Sequence, residues 1–220
     1  MDLFPLVFPG LEARRRRQLP EPEHFDVSVD PNVPFDELVR RAGFDRVRGL
    51  TGLDDPGRPW SEIYPARGGE PYVRRFELLQ LCADISEADA WLMVAMMKAR
   101  QVDAYCEFTE QAAQKRQARG EHLSLGIHEA QAEVARRGYQ PADAREFLHF
   151  LIQHPHRQRR HYDIAALGAM HQEADRIYVL EVFDRPYQRQ NQLIFLMVKS
   201  DSFQSFWLSH NRFLASKLVP

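Results

Sequence analysis

The sequence predicts an α+β protein that is mainly helical: a helical body, a late β-hairpin and a C-terminal amphipathic aromatic helix. Three observations predict it. Ten of the 14 prolines and seven of the 11 glycines lie at or before Pro71, so residues 1–71 read as an irregular N-terminal segment packed on a main domain of residues 72–220. From Tyr72 onward, cap and stop residues recur at helical intervals. Late in the chain, residues 177–183 (IYVLEVF) and 193–198 (LIFLMV) are rich in β-branched and aromatic side chains, the composition of strands. If residues 177–198 are helical instead, the fold becomes all-α, because a short apolar run has no decisive period.

Within the first 71 residues, Phe25, Val27 and Val29 alternate with polar neighbours, as in a half-buried strand. Residues 34–42 (PFDELVRRA) read as a short helix that Gly43 ends at the left-handed cap position. Residues 48–69 read as an ordered surface loop, since Trp60, Ile63 and Tyr64 give it apolar groups to bury. Residues 72–83 then read as a helix. Ser86, with Asp89 three residues later, opens a long helix to about Arg119, where Gly120 closes it. A helix over 122–137 ends at Gly138, and Pro141 suits the first turn of another that reaches about Gln153. Pro155 breaks the chain and a helix over 159–173 follows. After the hairpin, Ser200 or Asp201 caps a closing helix to Leu218, in which Phe203, Phe206, Trp207, Phe213 and Leu214 keep the three-four spacing.

Charge and cysteine content narrow the function classes. The 29 basic and 31 acidic side chains give a net charge of −2, which does not describe a surface built to coat nucleic acid or anionic lipid. No apolar run approaches the roughly 18–20 residues that cross a bilayer. A signal peptide is not expected either, because Asp2 stands where positive charge belongs and Pro5 and Pro9 interrupt the apolar stretch. Two cysteines, Cys82 and Cys106, make no disulfide framework. These features predict a cytoplasmic protein with no membrane partner, and no motif calls for a cofactor.

Candidate chemistry begins with the histidines, five of nine of which fall between His149 and His171. Glu146 and His149 form Glu-x-x-His on a predicted helix, the spacing that serves carboxylate-bridged metal pairs. Glu107, Glu110, Glu129 or Glu133 would complete such a site. Against it, Phe147, Leu148 and Leu151 define the buried side and turn Glu146, His149 and Gln153 outward. Arg157, Arg159 and Arg160, with Arg185 and Arg189 across the hairpin, are the candidate phosphate contacts of a nucleic-acid surface. His210, three residues after Trp207 on the apolar face of the closing helix, is a candidate wall of a ligand pocket. Nucleophile elbows, Walker loops and dinucleotide fingerprints are absent from the sequence.

Protein partners supply the remaining candidates. Leu3, Phe4 and Phe8 make the N-terminal arm too apolar to stand alone in water. Trp91, Met93, Met96 and Met97 belong to a block that is apolar around the whole helix, where adaptable methionines suit an interface. The leading expectation is therefore a non-catalytic accessory or regulatory protein that binds another macromolecule and forms a homo-oligomer. A nucleic-acid-binding regulator using the arginine loop, and a helical metalloenzyme using Glu146 and His149, are the alternatives.

Overall fold

Alternation of buried and exposed side chains along Phe25–Val29 places the first strand, β1, at one side of a mixed sheet. The computed structural model describes residues 24–44, 47–49, 59–82, 92, 95, 96, 99, 101–118, 125–173, 176–182, 193–199 and 211–218. Among them, the other strands are β2 (Val47–Gly49), β3 (Tyr72–Leu79), β4 (Tyr139–Pro141), β5 (Asp163–Glu173), β6 (Arg176–Val182), β7 (Leu193–Lys199) and β8 (Asn211–Lys217). Their order across the sheet is β1-β3-β8-β5-β6-β7-β2, with β4 also paired to β8. The helices are α1 (Phe35–Arg41), α2 (Trp60–Ile63), α3 (Val102–Gln117), α4 (Ile127–Arg136) and α5 (Ala144–Gln153), followed by a 3-10 helix over Pro155–Arg159. No helix among the described residues is long and apolar enough to cross a membrane.

The mainly helical α+β fold expected from the sequence is not the fold, and neither is the all-α version. Three segments expected as helices are strands of the sheet. Residues 72–83 contain β3, which pairs antiparallel with β1 and β8. Residues 159–173 contain β5, parallel to β8 and antiparallel to β6. The segment expected as an amphipathic aromatic helix contains β8, between β3 and β5 in the sheet. Phe213, Leu214 and Ala215 are buried in succession. A strand covered on both faces loses the period of two, and its apolar run then mimics a helical one. The β6–β7 hairpin does form, Ile177 opposite Val198 and Val182 opposite Leu193.

Each face of the sheet carries its own core. On one, α1 and α5 bring Phe35, Leu38, Phe147, Leu148, Phe150 and Leu151 against Val27, Phe76, Ile164, Leu180 and Leu214. On the other, Ile127, Ala130 and Val134 of α4 meet Ala165, Leu167, Val179, Phe213 and Ala215. Each large side chain buried this completely contributes about 1.5–3 kcal/mol. Two of the expected caps are in place: Gly43 after α1 and Gly138 after α4 have φ of 86° and 79°, the left-handed region that glycine enters without a Cβ penalty.

The strand β5 is irregular between Ala166 and His171, and that irregularity seats α5. There the Gly168 N–H donates to the Ala142 carbonyl at 3.0 Å, just before the helix starts. A Cβ on Gly168 would lie 2.6 Å from the Ala142 oxygen and 2.7 Å from the Pro141 oxygen. Gly168→Ala is therefore expected to push β4 and the α5 entry off the sheet, with a loss of about 1–3 kcal/mol. A lower urea midpoint with an unchanged slope checks this.

Candidate functional site

The helix α5 (AREFLHFLIQ) holds the two residues that the sequence offered as a metal pair, and its polar side chains organise the surrounding chain. Asp143 caps it, its Oδ1 accepting from the Arg145 and Glu146 N–H groups at 2.8 and 2.9 Å. Glu146 returns the bond by accepting from the Asp143 N–H at 2.9 Å, closing a capping box. The other Glu146 oxygen accepts from Arg74 Nη1 at 2.6 Å and from the Tyr72 hydroxyl at 3.2 Å. Burial and the Glu146 charge together push the Tyr72 phenol up to about 12.

One turn on, His149 Nε2 lies 3.2 Å from both the backbone nitrogen and the backbone oxygen of Asp30. A further turn on, the Gln153 amide accepts from the Ser28 N–H at 3.0 Å and donates to the Ser28 carbonyl at 2.7 Å. The outward expectation is corrected for Glu146 and His149, which are both buried, while Gln153 is exposed as expected. The stripe Glu146, His149, Gln153 faces the β1–β3 end of the sheet and satisfies backbone groups at and just beyond the end of β1. A side-chain amide bonded to both polar groups of Ser28 takes the place of a neighbouring strand.

Metal chemistry has little geometry to draw on here. The Glu146 carboxylate is engaged by three donors, His149 is turned to the backbone, and among the described residues no group of three or more His, Cys, Asp or Glu could hold an ion. Glu133, one of the suggested extra ligands, is buried between Arg136 and Arg137, whose bonds hold its carboxyl at about 2. Glu107 and Glu110 lie exposed on α3 and Glu129 on α4.

The arginine loop resolves in the same structural direction. Arg157 is buried, with its guanidinium 4.8 Å from the centre of the Phe25 ring. The His154 ring packs between Phe25 and Phe150, at 5.1 and 5.2 Å. This corner is part of the core and does not present Arg157 to a phosphate. The side chains of Arg159, Arg160, Arg185 and Arg189 lie outside the described residues, as do Leu3, Phe4, Phe8, Trp91, Met93, Met97, Trp207 and His210. Met96 is half-buried in a described helical position. Burial pushes the Cys82 thiol up to about 12, which leaves it a poor nucleophile.

Two residues that the sequence did not single out define the other side of α5. Arg145 is buried, and its two terminal nitrogens donate to the carbonyls of Val33 and Tyr64, the latter at 3.0 Å. Arg67 reaches Asp143 Oδ2 at 2.8 Å. Between them, with the wall of β5, lies a pocket of about 160 Å³. The Tyr64 hydroxyl donates to the Ala169 carbonyl at 2.5 Å and fixes its rim. The only signal in the sequence is an arginine in the first turn of a helix, between Asp143 and Glu146, which usually denotes a solvated charge. An open groove of about 790 Å³ lies elsewhere, between α1 and Trp60. No family model, curated protein or solved structure matches the chain.

His149 makes stability depend on acidity. Burial holds its imidazole below its ordinary value of 6.5, against the weaker pull of Asp30, with Arg145 and Arg41 also disfavouring the charge. A depressed value means that the neutral form is favoured on folding. Its contribution is complete above pH 6.5 and is lost as pH falls through the lower folded value. Replacing it by the non-titrating His149→Gln is expected to flatten the fall of stability below pH 6.5. Urea unfolding across pH 5–8 checks this; equal slopes in both proteins would contradict it.

Proposed function

We propose that this chain is a non-catalytic binding protein whose partner is another protein, a second copy of itself included. The observation that carries this reading is the position of its exposed apolar side chains. Among the described residues, the large hydrophobics most open to solvent are Tyr72, Val73, Leu92 and Leu218. Three of these four belong to one end of the sheet. Because β3 and β8 run antiparallel, with Glu77 opposite Ala215 and Leu79 opposite Phe213, the start of β3 and the end of β8 share that end.

Val73 is 69% exposed, although it stands on a strand directly opposite Ser28 of β1. Next to it Arg75 and Asp26 form an exposed ion pair at 2.8 Å. Successive strand residues face opposite sides, so Tyr72, bonded to Glu146, and Val73, beside the Arg75–Asp26 pair, put an exposed apolar group on each face of this sheet end. Apolar groups gathered at one end of a sheet suit a protein contact, whereas isolated exposed hydrophobics carry no such meaning. The polar groups of α5 are consumed in holding the fold together, which favours recognition over chemistry. In this reading the protein works in the cytoplasm, where a buried free thiol such as Cys82 stays reduced.

A photo-crosslinking amino acid placed at Val73 or Leu218 tests the proposal in cells that express the chain. Both positions are expected to trap one discrete protein species, while the same group at exposed Lys115 of α3 traps none. Adducts at Lys115 as abundant as those at Val73, or adducts to nucleic acid alone, would overturn it.

A further inference from the structure

Arg145 is 3% exposed, yet the bonds of its guanidinium run to neutral carbonyls. Val33 and Tyr64 accept from its two terminal nitrogens, and among the described residues no carboxylate forms an ion pair with it. A buried charge is ordinarily paired, since desolvating an ion without a counter-charge is costly. Carbonyl dipoles relieve part of that cost and leave the net charge in place. Only two of the five N–H donors of the guanidinium are engaged in these bonds.

The same side chain lines the pocket described above. Around that space stand two cations, Arg145 and Arg67, one anion, Asp143, and the imidazole of His171, with Ile63 and Met170 as apolar wall. Asp143 is already committed to Arg67 and to the first turn of α5. The helix N-terminus is consequently closed by its own cap and is not the attraction. Among the lining residues cations exceed anions by one, while Asp30, which also acts on Arg145, stands outside the space of about 160 Å³. By the same measure one water needs roughly 10–15 Å³, so the pocket has room for a group of several heavy atoms.

We infer that this pocket binds a small organic monoanion, a carboxylate carried on a short aliphatic chain. The carboxylate completes the charge balance of Arg145 and Arg67 through planar, charge-assisted bonds. The aliphatic part lies against Ile63 and Met170. One negative charge matches the excess of one cation among the lining residues, which a phosphate dianion would exceed. The site lies apart from the apolar sheet corner in composition and chemistry, and either can fail without the other.

Butyrate is the probe, titrated calorimetrically into the full chain with inorganic phosphate as the comparison and amide NMR shifts as the locator. Saturable binding is expected, with shifts confined to residues 63–67, 143–145 and 168–171, and phosphate should bind more weakly. Arg67 is 67% exposed, so Arg67→Gln should leave the fold intact while weakening butyrate about tenfold through loss of one charged bond. Absence of saturable butyrate binding, shifts elsewhere, undiminished affinity in Arg67→Gln, or tighter binding of phosphate would each overturn the assignment.

Discussion

The buried carboxylate of Glu146 holds together parts of the chain that are distant in sequence. One oxygen binds the Asp143 N–H and starts α5; the other binds Arg74 and Tyr72 of β3. Arg74 in turn donates to Gln140 of β4 at 2.5 Å. A single charged group thereby ties a helix start to two strands. Removing one partner from such a cluster leaves desolvated groups behind, at a cost of about 3–5 kcal/mol where burial is complete. Arg74 is partly exposed, so the cost here lies below that range.

Everything around α5 follows from the same constraint. Its apolar side chains fill the core, so every polar side chain that is not in the solvent must find a backbone or charged partner. Arg145 finds the carbonyls of Val33 and Tyr64, His149 finds Asp30, and Gln153 finds Ser28. These contacts position the loop that carries Tyr64 and Arg67, and hence the pocket. They also cover the edge of β1, where open N–H and C=O groups would otherwise template pairing with another chain. The exposed apolar side chains of Val73 and Leu218 remain at that end of the sheet.

The parts of this fold that were legible in the sequence depend on local chemistry. Left-handed glycines end α1 and α4, the alternation of Phe25, Val27 and Val29 makes a half-covered strand, and β-branched runs make the β6–β7 hairpin. The illegible parts depend on partners far along the chain. In β5 the run Ala165, Ala166, Leu167 favours a helix locally, but these small buried residues sit where helices press on both faces of the sheet. In β8 the burial of both faces erased the alternation that identifies a strand. The spacing of Glu146 and His149 puts them on one helical face, but it does not say what that face meets. Phe147, Leu148 and Leu151 do face the core, and on the opposite stripe Glu146 and His149 are covered by β3 and the end of β1, while Gln153 stays exposed. Arg145 is illegible because nothing local distinguishes a buried arginine from a solvated one.

Native-state hydrogen exchange tests most directly whether α5 and the β1–β3 end of the sheet form one unit tied by Glu146. The amides of Val27 and Val29 should open with the same free energy as those of Phe150 and Leu151, and Glu146→Gln should lower all four together. Exchange of β1 that is independent of α5, with only one of the two responding to Glu146→Gln, would contradict the account.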